Sequence, residues 1–563
     1  DRGGPDGRRA APDPGPHATG TAEDTRGCGT HVPVRRHPTA DGPVFAHPGP
    51  THTPRRTAMT LAPPDLAVVV AYLAGMTLFG VWFTRSQKDL RTYFVGDRDV
   101  GWFMVLVSIV ATETSAVTFL SVPGVAFNPK GGNLTFLQLA FGYVVGRVLV
   151  AWLLLPQYMS GDLFSAYQVL RQRFGPGVQR VASGLFLVTR TVADGLRLYL
   201  TALLLQYVDL GRFVGVEWGV GPAIVVVGVV TVVYTYLGGM KAVIWTDLIQ
   251  FVIKIAGAAL AGVFVLRLLP GGWDQFVAGG AAAGKFKLIE PVFDRTVAFN
   301  IWAGVAGGAV FSMASHGADQ LMVQRYLCAR SLGQARLALV LSGFTVLVQF
   351  LLFLLVGVGM FVLMEDGLFP EAAGRRTDEV FGLFIVTRLP TGVAGVLVAA
   401  VLAAAMSTLS SSLNSSANAV VTDFYRPLRP DHPEGWYVLL SRVMTAGWGV
   451  AQMGVAVLAY RLGEDKSVVE RVLAVAGFTT GLLLGLFLLG SLKRPPRSGP
   501  ALVGMVCGFA AVLGVWLPSV VGDPPAPVLA WPWFAPLGAG TTVLVALAAE
   551  RVWPRRIGGP GEG

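Results

Sequence analysis

From about position 64 onward the chain is a succession of apolar runs of about 20 residues, separated by short polar connections. A helix of 20 residues rises about 30 Å, the thickness of a bilayer's hydrocarbon core, so each run predicts a membrane-spanning helix. The pattern predicts about thirteen of them, over residues 64–84, 101–127, 133–158, 178–208, 219–238, 244–270, 296–316, 335–364, 391–420, 436–460, 468–491, 500–520 and 530–550. One of these runs carries a second pattern. Val401–Tyr425 reads V-L-A-A-A-M-S-T-L-S-S-S-L-N-S-S-A-N-A-V-V-T-D-F-Y. Ser407, Thr408, Ser411, Asn414, Ser415 and Asn418 follow Ala404 at i+3, i+4, i+7, i+10, i+11 and i+14, the spacing of one helical face. An oxygen-rich stripe in hydrocarbon asks for a polar partner: a neighbouring helix, a water-filled cavity or a hard cation.

Composition agrees with the pattern. Of 563 residues, 53% are hydrophobic and 14% charged, which excludes a string of soluble domains. The net charge of +10 comes from Lys and Arg that punctuate the apolar runs and gather on no face; this sets topology and does not bind nucleic acid. One set of alternate connections holds Arg85, Lys88, Arg91, Arg98, Arg171, Arg173, Lys241, Arg325, Arg330, Arg336, Arg426, Arg429, Lys493, Arg494, Arg497, Arg551, Arg555 and Arg556, and the other set is poorer. The rule that short basic loops stay in the cytoplasm then predicts a multi-pass protein of the cytoplasmic membrane, with its N-terminus outside and its C-terminus inside.

Residues 1–58 are rich in Pro, Gly, Arg, Asp and His without apolar period, and read as a disordered N-terminal extension ahead of Met59, upstream of the true start. The tail after Glu550 is too short for a regulatory domain. Cys28, Cys328 and Cys507 have neither disulfide nor metal spacing, and the five histidines of the first segment form no ligand motif.

Three membrane runs carry ionisable groups. Glu113 lies among Thr112, Thr114 and Ser115 near mid-span, where an unpaired carboxylate costs about 2.5–3.5 kcal/mol, and Pro123 with Gly124 further on points to an interrupted helix. Arg190, Asp194 and Arg197 stand at i, i+4 and i+7, so the carboxylate can pair with either guanidinium. Asp247 follows the Gly238-Gly239 turn and enters an apolar helix. No HExxH, GxSxG or paired-carboxylate motif occurs, so an enzyme is not indicated.

Four stretches then fall in one order: Y-F-V-G-D-R at Tyr93–Arg98, G-G-M-K-A-V-I-W-T-D-L-I-Q ending at Gln250, A-D-Q-L-M-V-Q-R-Y-L at Ala318–Leu327, and A-A-A-M-S-T-L-S-S-S-L-N-S-S with T-D-F-Y behind it. In these the chain resembles the sodium:solute symporter family, which includes sodium-coupled sugar, proline, pantothenate, sialic acid, multivitamin and iodide carriers, from Met59 to roughly Ser491. The resemblance implies an all-α polytopic membrane protein of about thirteen transmembrane helices with two inverted five-helix repeats, the LeuT-type arrangement. Residues 59–100 would hold the first helix and a cytoplasmic loop, 101–270 repeat one, 271–491 repeat two, and 492–563 the last two helices and tail.

By the same resemblance the main sodium site would use the backbone carbonyls of Ala111, Thr114 and Ala404 with the hydroxyls of Ser407 and Thr408, and a second sodium would take Asp247, Ser410 and Ser411. Glu113, Thr118, Ser312, Ser315 and His316 would surround the solute. Ser315 and His316 stand where sugar carriers have aromatic residues, and Val346 where a sugar-contacting Lys is expected, so sugar is demoted. The implied function is sodium-coupled import of a small polar organic solute, a carboxylate, amino acid or vitamin-like compound, by alternating access. Sodium is the coupling ion and no obligate protein partner is evident. A proton-coupled carrier is the alternative, since Glu113 and Asp247 both bind protons; a solute sensor on the same fold stands behind it.

Overall fold

The computed structural model describes residues 61–82, 89–161, 163–206, 217–462, 468–521 and 528–552. The proposed N-terminal extension and part of the basic loops lie outside the described residues. Among the described residues each predicted apolar run is helical over most of its length, although 296–300 of the run 296–316 is not. Among the described residues eight helices are long and apolar enough to cross a membrane, nine when one bent pair is counted as a span. In chain order the elements are α1 (Pro63–Trp82), α2 (Leu90–Val95), α3 (Trp102–Glu113), α4 (Ala116–Phe127), α5 (Leu137–Leu153), α6 (Leu155–Met159), α7 (Tyr167–Phe174), α8 (Pro176–Leu205), α9 (Val220–Leu268), α10 (Gly272–Ala282), α11 (Gly308–Gly317), α12 (Gln320–Leu327), α13 (Leu332–Glu365), α14 (Thr377–Arg388), α15 (Val393–Ala419), α16 (Glu434–Leu462), α17 (Val468–Gly490), α18 (Ser498–Trp516) and α19 (Phe534–Val552).

Two predicted spans, 219–238 and 244–270, are the halves of α9. They divide at Gly239, whose φ of 57° and ψ of −168° belong to backbone that only glycine adopts without strain. The interruption in the Glu113 span falls earlier than Pro123 suggests. Thr114 and Ser115 leave helical geometry and turn α4 by 65° from α3, whereas Pro123 sits inside α4. Pro123 packs closely on α13: a Cβ at Gly357 would lie 2.0 Å from its carbonyl oxygen, so only glycine fits there. A second interruption, at Ala318 and Asp319, separates α11 from α12, and the Asp319 carboxylate caps α12 by accepting from Leu321 N.

The helix that carries the hydroxyl stripe is central. Nearly every residue of α15 from Ala394 to Ala419 is buried, so all its faces, and not one stripe, find protein partners. It packs on α9, α1, α8 and α16 and touches the broken pair α3 and α4. Its first turn is held from the far end of the sequence: Asp65 of α1 accepts from Gly392 N at 2.6 Å and from Gly395 N at 2.8 Å, filling two of the donors that a helix start leaves open. Asn414, Ser415 and Asn418 serve packing. Asn414 accepts from Gln324 at 2.8 Å, Ser415 donates to Ser412 O, and Asn418 donates to Phe164 O. At the end of α15, Asp423 accepts from Ser165, Gln179 and Ser183 at 2.8–2.9 Å and ties the helix to α7 and α8.

Candidate ion and solute site

The break between α3 and α4 frees carbonyls that an intact helix would use, and α15 brings hydroxyls to them. Ser407 Oγ donates to Ala111 O at 2.7 Å, and Thr408 Oγ1 donates to Thr112 O at 2.8 Å. Both hydroxyls also lie near Ala404 O, at 3.5 and 3.3 Å. Thr114 is fixed by its own hydroxyl, which lies 2.8 Å from Val110 O and 2.9 Å from Gln349 Oε1 of α13. The five residues assigned to the main ion are therefore brought together. A residue that sequence reasoning passed over lies among them: Lys254 Nζ of α9 donates to Ala111 O at 2.6 Å, Ser407 Oγ at 3.1 Å and Thr114 O at 3.3 Å.

The second group assembles in part. Asp247 Oδ2 accepts from Ser108 Oγ at 2.6 Å and lies 3.3 Å from Arg325 Nη2. Arg325 also bonds Thr112 Oγ1, Ser411 Oγ and, through Nε, Ser108 O and Oγ. Asp247 and Ser411 thus meet on one guanidinium. Ser410 does not join them: its hydroxyl donates to Ser407 O at 3.1 Å. Arg325, counted from sequence among the basic loop residues, is instead 1% exposed. Its place on α12, just after the second break, carries it into the protein.

On the other side of the first break lies a cavity of about 160 Å³. Glu113, Thr118, Ser315 and His316 line it as expected, together with Thr408, Arg190, Arg197 and Asp319. Ser312 does not; its hydroxyl donates to Tyr143 O at 3.1 Å, because it faces α5 across the α11 contact. The carboxylate of Glu113 is compensated by Arg147 of α5, a fully buried residue whose Nη1 donates to Ser342 Oγ at 2.7 Å. His316 Nε2 lies 3.6 Å from Glu113 Oε2 and its Nδ1 is 3.0 Å from Ser315 Oγ.

Arg190 and Arg197 both bond Asp194, the intrahelical arrangement read from their spacing, and Arg190 reaches on to Asp319 at the second break. The Nε of Arg197 has no hydrogen-bond partner among the described residues. Tyr143 stacks on Phe311, with ring centroids 6.0 Å apart, and meets Phe350 at 6.4 Å, giving the cavity an aromatic wall. The break thus turns carbonyl oxygens toward the lysine and the start of α4 toward a cavity with basic donors. Arg147 does not announce itself in the sequence beyond being a lone cation in an apolar run.

The family model for the sodium:solute symporter family matches residues 93–508. The sodium/sialic acid symporter SiaT of Proteus mirabilis is 29% identical over 450 residues, covering 80% of this chain and 88% of the relative. The human sodium/iodide cotransporter is 30% identical over 477 residues, covering 82% and 70%. Among solved structures, a substrate-bound, outward-open Na⁺-coupled sialic acid symporter superposes with a TM-score of 0.76 at 27% identity, covering 87% of this chain and 98% of the other.

Proposed function

The chain belongs to the sodium:solute symporter family, and on that premise we propose that it carries a small organic acid across the membrane by alternating access, the solute binding in the cavity at the α3–α4 break. By family it is a sodium-coupled solute symporter and not an enzyme. The observation that carries the solute class is the pair of guanidinium residues Arg190 and Arg197, which line the cavity together with the aromatic residues Tyr143 and Phe350. Guanidinium groups at a cavity wall favour a carboxylate, which accepts on two oxygens. The start of α4 adds a positive dipole end on the same side. Two relatives named above handle anions, sialic acid and iodide. A volume of about 160 Å³ lies below the roughly 300–1,000 Å³ of sites for drug-sized ligands and suits a small solute.

The two interrupted helices, α3–α4 and α11–α12, would each begin one five-helix repeat, and their junctions, which approach each other where His316 at the end of α11 lies 3.6 Å from Glu113 at the end of α3, would be where the halves separate and close. The test is an uptake panel in proteoliposomes under imposed sodium, lithium, potassium and proton gradients, with monocarboxylates, sialic acid, amino acids and sugars. Monocarboxylates or sialic acid are expected to accumulate, and Arg197→Gln is expected to lower their uptake at least tenfold, the loss of about 1.4 kcal/mol of binding. Accumulation of sugars with no uptake of any acid would refute the reading.

A further inference from the structure

The oxygens assigned to the main sodium ion already surround a cation of the chain's own. Lys254 projects from α9 between Ile253 and Ile255, and its Nζ stands 2.6 Å from Ala111 O, 3.1 Å from Ser407 Oγ and 3.3 Å from Thr114 O. An ammonium has three donors, and here they meet three acceptors, so its hydrogen bonding is complete. The residue is fully buried, and among the described residues no carboxylate lies within ion-pair distance of it. What compensates its charge is this set of oxygens, with Asp247, seven residues earlier on α9, acting from further off and Arg325 opposing it. A buried ammonium is costly unless it is hydrogen-bonded, so its presence at the freed carbonyls of the α3 break has a specific structural cause.

A hard cation seeks oxygens at about 2.3–2.6 Å. To share Ala111 O, Thr114 O and Ser407 Oγ with the ammonium, a sodium ion would sit within about 4 Å of it, two unit positive charges in a poorly screened place. The oxygens serve one or the other. We propose that Lys254 is a tethered cation that occupies the main ion position of this carrier and excludes sodium from it, so that any sodium driving transport binds elsewhere. The amino group that holds the α3 break and α15 together is then part of the protein itself. It does not arrive and depart with each transport cycle.

This inference rests on the carrier reading but is tested without a solute. The full chain, purified in detergent, is melted by tryptophan fluorescence in sodium chloride and in choline chloride at equal ionic strength. In the wild type, any sodium-specific rise in melting temperature is expected to be the same in Thr408→Ala, because the ion does not use that hydroxyl. Lys254→Ala vacates the position and is expected to gain a sodium-specific rise on the order of 2–4 °C, which the double variant Lys254→Ala/Thr408→Ala loses. A wild-type sodium response that Thr408→Ala abolishes would overturn the proposal, and so would a folded Lys254→Ala that gains no response. If Lys254→Ala does not fold, the wild-type and Thr408→Ala comparison still decides, and Lys254→Ser supplies the vacated position. Failure of the solute panel would sink the transport reading and leave these melting curves untouched.

Discussion

The Glu113–Arg147 pair sets up a quantitative expectation. Arg147 is fully buried and has two side-chain partners, Glu113 and Ser342, while Glu113 is 15% exposed at the cavity. Two unit charges about 4 Å apart attract by about 4 kcal/mol at an effective dielectric of about 20, most of which offsets the desolvation of both. Removing one partner is different, because it leaves the other buried charge alone at about 3–5 kcal/mol. The two halves of the pair are unequal: without Arg147, the carboxylate of Glu113 still faces the cavity and His316, 3.6 Å away, whereas without Glu113 the guanidinium keeps only Ser342 as a side-chain partner. Glu113→Ala is therefore expected to lower the apparent melting temperature more than Arg147→Met. The double variant should recover part of the loss, with a coupling of about 1–3 kcal/mol. The assay is thermal unfolding of the four purified proteins followed by tryptophan fluorescence, chosen because uptake would be lost in all three variants and would report nothing. Additive losses, with the double variant as unstable as the sum of the singles, would refute the pairing as the reason Glu113 is tolerated in the membrane.

Two further outcomes are expected. Gly239→Ala forces a Cβ into backbone that only glycine adopts readily, a strain of about 1–3 kcal/mol, so the variant should be recovered in lower yield and melt earlier; a melting curve superimposable on the wild type would contradict the break in α9. Asp423→Ala strips three donors of their common acceptor and should destabilise by about 2–4 kcal/mol, whereas Asp423→Asn, which keeps one acceptor oxygen, should cost less; equal losses would argue that the carboxylate is not what Ser165, Gln179 and Ser183 require.

Where the helical runs fall was legible because apolar runs leave a strong one-dimensional signal, but their extents were less so: of about thirteen expected spans, two are halves of α9, only Gly308–Gly317 of the run 296–316 is α-helix, and eight or nine helices among the described residues are long and apolar enough to cross a membrane. The hydroxyl stripe was legible for the same reason: Ser407 and Thr408 must face something polar, and they do. The position of the interruption came from the family resemblance, which put it at Ala111–Thr114, and not from the residues themselves: Pro123 is the conventional breaker yet lies inside α4, while the break stands at Thr114 and Ser115, where Thr114 bonds Gln349 and the preceding carbonyls of Ala111 and Thr112 accept from α15. The compensating cations were missed through one shared cause. A lone basic residue in or beside an apolar run reads as a marker of topology, and whether it points to water or to Glu113, Asp247 or Ala111 O is decided by helices far away in sequence. Lys254 did leave a trace: it stands at i+7 from Asp247, on the same helical face.

The cap that Asp65 places on α15 joins residues 327 positions apart. At about 5–20 residues per second of synthesis, roughly 16–65 s separate the emergence of that carboxylate from the emergence of the amides it will accept from. During that interval the first membrane helix carries an acidic group with neither Gly392 nor Gly395 to bond it. Its position in the first turn of α1 is what makes the wait bearable, since a charge at a helix end can stay among lipid headgroups where one at mid-span could not. The central helix is thus anchored by the oldest part of the membrane domain, and a nascent chain arrested before Gly395 would present the first helix with its acid still facing the headgroups.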